Sequence, residues 1–256
     1  MFFDTHAHYD DERFDDDRDE LLAGMPDAGI ATILNCASSL DSAKVSLKLA
    51  DKYPFIYASV GVHPHDSKSM SDGTIAELEN LLAHPKALAV GEIGLDYYHD
   101  FSPRDVQQKR FREQLELARR VGKPVIIHER DAARDTLDII NDFRDLRGVF
   151  HCFSGSWETA LILLDMGWYL SFTGVVTFRN ARRALEVVEK MPADRLMLET
   201  DCPYLAPEPM RGRRNSSLFL QYIAEKIAEA RGIAADEVAA LTMENGRRFF
   251  GITADL

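Results

Sequence analysis

At 256 residues with 46% hydrophobic content, the chain can bury a sizeable core, which excludes a disordered polypeptide. Forty-two acidic residues against thirty basic ones leave a formal net charge of −12, which opposes loose association with anionic membranes or long duplex nucleic acid. Cys36, Cys152 and Cys202 are too few and too widely spaced for a disulfide framework or a CxxC site, so a reducing cytoplasm is expected, with no signal peptide and no membrane span in the reading.

Short β-branched and aromatic runs alternate with helical patterns along the whole chain. The expected strands are Phe2 to Thr5, Ile30 to Asn35, Ile56 to Val62, Ala87 to Ile93, Pro124 to His128, Gly148 to Cys152, Trp168 to Phe172 and Leu196 to Thr200. Between them, Ala43, Leu47 and Ala50 recur at helical spacing before Pro54. In "DVQQKRFREQLELARRVGKP" the residues Phe111, Leu115 and Ala118 share one face, and Gly122 with Pro124 gives the stop signal. Leu161 and Leu164 precede Gly167, and "EVVEKMP" closes the next helix. A Pro- and Arg-rich loop, "CPYLAPEPMRGRRNSS", follows Asp201, and two terminal helices complete the chain.

Strand and helix in strict alternation imply parallel strands joined by right-handed crossovers. Eight such units need about 250 residues when closed into a (β/α)8 TIM-type barrel, and this chain has that length. The expected architecture is therefore one α/β domain over residues 1–256. A doubly wound open sheet is the runner-up. "VGEIGLD" is not a dinucleotide turn, because its glycines are too close together and lie mid-chain.

In a closed α/β barrel the reacting groups collect at the carboxyl ends of the strands. His6 and His8 stand at the first such end, His63 and His65 at the third, Glu92 at the fourth, His128 at the fifth, His151 at the sixth and Asp201 at the eighth. The i, i+2 spacing turns His6 and His8 the same way, so both can ligate one cation. Six donors around one axis are what a pair of divalent cations requires. The reading places His6, His8 and Asp201 on one ion and His128 and His151 on the other, with Glu92 shared.

His63 is read as a substrate contact, and His65 as a second one or a hydrogen-bonded loop residue. Arg130 faces a substrate anion or pairs with Asp131 or Asp135. Arg211, with Arg213 and Arg214, supplies guanidinium forks that suit phosphate. Cys152 and Cys202 adjoin proposed ligands but point to the opposite side, towards burial. His84 and His99 are read as exposed loop or helix-end residues.

The ordered segments "FDTHAHYD", "VGVHPHD", "VGEIGLDYY", "KPVIIHERDA", "VFHCFSGS" and "LETDCPYLAP", with "LARRVGKP" and "MENGRRFFG", resemble the TatD-type family of metal-dependent deoxyribonucleases, within the amidohydrolase-like barrel enzymes. The resemblance spans essentially the whole chain. It implies metal ligands at His6, His8, Glu92, His128, His151 and Asp201, cleavage of phosphodiester bonds in DNA, and magnesium or a similar divalent ion. The family usually continues the arginine loop with Asn-Glu-Pro, whereas this chain keeps Asn215 and has Ser216 and Ser217.

The expected activity is a 3′ to 5′ exodeoxyribonuclease acting on DNA ends or single strands through a water activated by two metals. Asp201 and Glu92 are its catalytic carboxylates. Ligand type alone suits zinc or manganese as well as magnesium. An amidohydrolase acting on a C–N or ester bond of a small molecule is the rival reading, and a non-catalytic metal-binding scaffold a further one. Neither a membrane role nor an obligatory protein partner is legible.

Overall fold

A computed structural model describes residues 1–253. Eight strands run β1 (Phe2–Ala7), β2 (Ile30–Asn35), β3 (Ile56–Val60), β4 (Ala87–Asp96), β5 (Val125–Arg130), β6 (Gly148–Phe150), β7 (Tyr169–Phe172) and β8 (Leu196–Leu198). They make a single sheet in chain order. Just past β8 the chain meets the end of β1 again in a parallel bridge, Ala7 to Cys202. Sequential order with this return is a (β/α)8 barrel of the TIM type. A doubly wound sheet would reverse its strand order part-way, and this sheet does not.

The helices are α1 (Arg18–Ala23), α2 (Leu40–Lys52), α3 (Thr74–Leu82), α4 (Arg104–Val121), α5 (Ala133–Ile140), α6 (Trp157–Asp165), α7 (Arg182–Lys190), α8 (Leu220–Arg231) and α9 (Ala235–Phe250). Their limits follow local chemistry. Ser39 caps α2 by accepting from the Ser42 amide, and α4 stops where Gly122 adopts a left-handed conformation at φ 68°. Phe111, Leu115 and Ala118 form the buried face of α4, as their spacing requires.

The chain divides into two compact units, one from residues 1–35 together with the chain from Cys152 onward, the other from Cys36–His151. In the first, Phe3, Ile33, Trp168, Phe172, Leu198, Ile223 and Phe249 are buried, and Phe249 meets Phe250 edge to face at 4.8 Å. In the second, Ile56, Val60, Leu78, Val90, Ile93, Phe111 and Ile126 fill the core. Strands β3 and β4 read as nearly unbroken apolar runs because both faces are covered.

Strand ends depart from the sequence expectation where they bear on function. Strand β4 continues three residues beyond Ile93, since Gly94, Leu95 and Asp96 pair with His128, Glu129 and Arg130 of β5. Gly94 sits at φ 145°, and a Cβ there would lie 2.0 Å from the His128 carbonyl oxygen, so only glycine lets the two strands run this close. Strand β8 stops at Leu198 rather than Thr200, and β6 at Phe150 rather than Cys152; Cys152 and Asp201 both turn to positive φ, 46° and 56°.

Candidate active site

In the first unit, β1 carries His6, fully buried, and His8 follows just beyond it. Their Nε2 atoms lie 3.1 Å apart. Asp201 Oδ1 is 3.3 Å from His8 Nε2 and 3.8 Å from His6 Nε2. Backbone pairing sets this up, because the Asp201 amide donates to the His6 carbonyl and the His8 amide to the Cys202 carbonyl. The left-handed backbone of Asp201 is a conformation that aspartate tolerates better than most residues and that clusters at functional sites.

Behind His6 stands Asp4, a carboxylate with no exposed surface. Its Oδ1 accepts from the Thr200 amide at 2.9 Å, and its Oδ2 accepts from the hydroxyls of Thr200 and Ser217, both at 2.6 Å. The Ser217 amide in turn donates to the Tyr9 hydroxyl at 2.9 Å, and that hydroxyl lies 2.8 Å from Ser217 Oγ. Burial pushes the Asp4 carboxyl up to about 7, against the downward pull of the Ser217 and Thr200 hydrogen bonds; the charge of Glu199 adds to the rise. Glu199 is itself buried and accepts from the Cys152 amide. Burial, with Asp4 close by, also pushes the Cys202 thiol well up.

In the second unit, Glu92 on β4 is the centre. Its Oε1 lies 2.7 Å from His151 Nε2, 2.8 Å from His128 Nδ1 and 3.5 Å from His63 Nε2. The two nearest imidazole nitrogens are 3.1 Å from each other. The opposite nitrogen of His128, Nε2, reaches Asp96 Oδ2 at 3.2 Å, and the same oxygen lies 2.8 Å from both His65 Nε2 and His99 Nδ1. Asp96 Oδ1 accepts from the amides of Tyr98 and His99.

These contacts set the charges. Burial alone would raise Asp96, but hydrogen bonds from His128, His65 and His99 hold it well below the usual carboxylate range. Burial works downward on His128, yet Asp96 and Glu92 outweigh it and push it up. His63 is pushed down to about 4, mainly by burial, with Glu92 opposing and His128 adding to the fall.

The donor set suits cations. A neutral imidazole carries one N–H, yet His6 and His8 bring their Nε2 atoms together, and His128 Nδ1 meets His151 Nε2 beside one carboxylate oxygen. A divalent ion at either cluster would accept the lone pairs that converge there. His63, Glu92 and His128 offer donor atoms within 4.8 Å of one another, as do His65, Asp96 and His99. His128 also has the arrangement of a metal-ligating histidine, one ring nitrogen towards the donor cluster and the other on a carboxylate.

Comparison with known proteins identifies the family. A family profile described as "TatD related DNase" matches residues 3–251. The chain belongs to this family. A TatD relative from Bacillus subtilis, "Uncharacterized metal-dependent hydrolase YabD", is 42% identical over 98% of this chain and 100% of its own length. The Cronobacter sakazakii protein named "3′-5′ ssDNA/RNA exonuclease TatD" is 36% identical over 97% of each chain. The crystal structure of YjjV, a TatD homologue from Escherichia coli K12, superposes with a TM-score of 0.92 at 31% identity, covering 98% of each chain. The TatD chain described here is accordingly a metal-dependent hydrolase with the barrel of its relatives.

The expected site residues fall into place unevenly. His6, His8 and Asp201 come together in one unit, and Glu92, His128 and His151 in the other, with His63 alongside. His65 is hydrogen-bonded, to Asp96. His99 lies in an exposed turn, as expected, and shares that carboxylate. Arg130 pairs with neither Asp131 nor Asp135: its guanidinium lies 4.2 Å over the Tyr98 ring, while Asp135 accepts from Tyr97 and Gln108. Arg211 stacks 3.9 Å over Phe178. Arg214 is tied to Asp17 at 2.5 Å and covers Phe14, so it is not available to a substrate. Asn215 holds the loop by donating to the Thr200 and Tyr204 carbonyls. Asp4, Asp96 and Glu199 are absent from the sequence reading, although Asp4 shares the alternation of His6 and His8 along β1.

Two measurements follow. A carboxyl raised on folding from 3.8 to about 7 contributes fully below pH of about 4, loses that contribution as pH rises to about 7, and is constant above. Asp4→Asn removes the titrating group, so the stability of wild type relative to D4N, read from urea midpoints, should fall across that window by up to about 1.4 kcal/mol per pH unit. A flat difference would refute the assignment. Asp96→Asn keeps an acceptor for the Tyr98 and His99 amides but loses the oxygen that orients His128. It should weaken divalent-ion binding about 10- to 100-fold in chelator competition, with the circular dichroism unchanged.

Proposed function

We propose that this chain is a phosphodiesterase using two divalent ions that degrades DNA from the 3′ ends of single strands, with residues 1–256 as one hydrolase domain. The observation that carries the reading is Glu92 Oε1 set between His128 and His151, a buried carboxylate with two imidazoles converging on it. One ion would be held by His6, His8 and Asp201, and the other by Glu92, His128 and His151. Divalent ions there supply Lewis acidity to phosphodiester oxygens and acidify a water; magnesium, manganese and zinc all suit the mixed donor set.

The protein groups divide the remaining work. Asp201 accepts the proton of the attacking water, and Glu92 fixes His128 and His151. His63 is neutral near pH 7, and its Nδ1 accepts from the His65 amide, so its proton resides on Nε2, where it can donate to a phosphate oxygen. Arg211 supplies a guanidinium that suits a substrate phosphate.

The name of the Cronobacter relative supports a nucleic-acid substrate. The net charge of −12 supports ends and single strands, since tight non-specific duplex binding needs many phosphate contacts. Three free thiols suit the cytoplasm, and among the described residues no helix is long and apolar enough to cross a membrane.

His128→Ala should lower turnover by orders of magnitude and remove one of the two bound ions by elemental analysis. Near-normal nuclease activity in that variant would sink the assignment. A linear single strand should be shortened from its 3′ end while a closed single-stranded circle survives. Equal rates on the two would contradict exonuclease action, and turnover of lactones or cyclic amides in place of both would favour the small-molecule reading.

A further inference from the structure

The loop between β4 and α4 leaves the active-site region with two large aromatic rings in solvent. Tyr98 is 61% exposed and Phe101 57%. Burying either ring would be favourable, and the chain forgoes both within four residues. The loop is nevertheless held firmly. Asp96 accepts the Tyr98 amide, Gln107 donates to the Ser102 carbonyl, Ser102 Oγ donates to the His65 carbonyl, and Lys68 Nζ donates to the Phe101 carbonyl at 2.8 Å. A rigid loop presenting bare rings is a prepared surface.

Its surroundings narrow the occupant. The Phe101 ring lies 4.8 Å from the His65 ring, and the His65 ring 6.2 Å from that of His128. On the other side Arg130, two residues beyond His128, lays its guanidinium 4.2 Å over Tyr98 and pairs with no carboxylate among the described residues. Arg13 over Tyr204 is by contrast paired with Asp11, and Arg104 over Tyr97 with Asp100, whereas Arg211 over Phe178 resembles Arg130. An apolar protein segment would strand the Arg130 charge and the Asp96 cluster against its own surface. A flat, π-rich ring on a phosphate chain satisfies the aromatic faces and the unpaired cation together.

We infer that Tyr98 and Phe101, with Arg130, form a stacking subsite for an unpaired nucleobase of a DNA strand whose backbone reaches the His128 cluster. The inference rests on the nuclease reading above and adds to it the reason a single strand is preferred: a base held in a duplex cannot offer its face to this loop.

The test is equilibrium binding, separate from cleavage. A phosphorothioate-linked single strand containing 2-aminopurine reports stacking by loss of fluorescence, and a matched strand with tetrahydrofuran in place of every base reports backbone binding alone. Wild type should quench the first strand and bind it more tightly than the baseless one. The Y98A/F101A variant should bind the base-bearing strand about tenfold more weakly, without quenching, and the baseless strand as wild type does. Unchanged affinity for the base-bearing strand, or an equal loss for both strands, would overturn the subsite. Failure of wild type to cleave any strand would count against the nuclease reading, while the preference for bases is scored by its own measurement. Both rings are exposed, so an unchanged melting temperature is expected and confirms that the variant is folded.

Discussion

A carboxylate cannot be buried in a barrel wall without donors to satisfy it, and that requirement organises the functional groups of both units. In one, Asp4 is surrounded by the Thr200 and Ser217 hydroxyls and the Thr200 amide, and so fixes the strand that presents His6. In the other, Asp96 draws in His65, His99 and His128. The imidazoles are oriented from behind before anything binds in front. This is the preorganisation that a metal centre depends on, because a ligand free to rotate must be immobilised at the moment of binding. Neither carboxylate needs to touch a cation or a substrate to matter.

Much of the site was legible because strands impose a period of two and barrels impose a rim. His6 and His8 could be read as one pair, and Glu92, His128, His151 and Asp201 as strand-end groups, from those two rules alone. The failures have equally local causes. Asp96 shares the parity of Glu92, but the strand was expected to stop at Ile93. The glycine in fact permits a close approach to His128 and the strand runs on. Once Asp96 was lost, His99 had no visible reason to be more than a loop residue. Asp4 has partners 196 and 213 residues away, a distance at which one sequence without relatives gives no hint of contact. The pairing of Arg214 with Asp17, 197 residues off, is equally out of reach of the sequence.

The electrostatics reconcile an acidic protein with the anionic substrate proposed for it. Forty-two acidic side chains give a repulsive far field, but in 0.15 M salt that field decays within about 8 Å. Close in, the imidazoles and any cations they hold would set the potential, aided by Arg130 and Arg211, which pair with no carboxylate among the described residues. The departure at Ser216 and Ser217 from the usual family loop also finds a role. A proline at 217 could not donate an amide to Tyr9 nor a hydroxyl to Asp4, so this chain braces its first strand by a hydrogen-bond network that such a loop would lack.

The long reach of that network bears on how the chain comes into being. Residues 36–151 are contiguous, so the Glu92 cluster has all its parts as soon as His151 leaves the ribosome. The cluster around His6 has to wait. Its strand is synthesised first, yet Asp201, Thr200 and Ser217 emerge some two hundred residues later, and until then Asp4 must remain hydrated. The oldest segment of the nascent polypeptide is thus among the last to mature, and a chain interrupted before residue 200 would hold one cluster and lack the other.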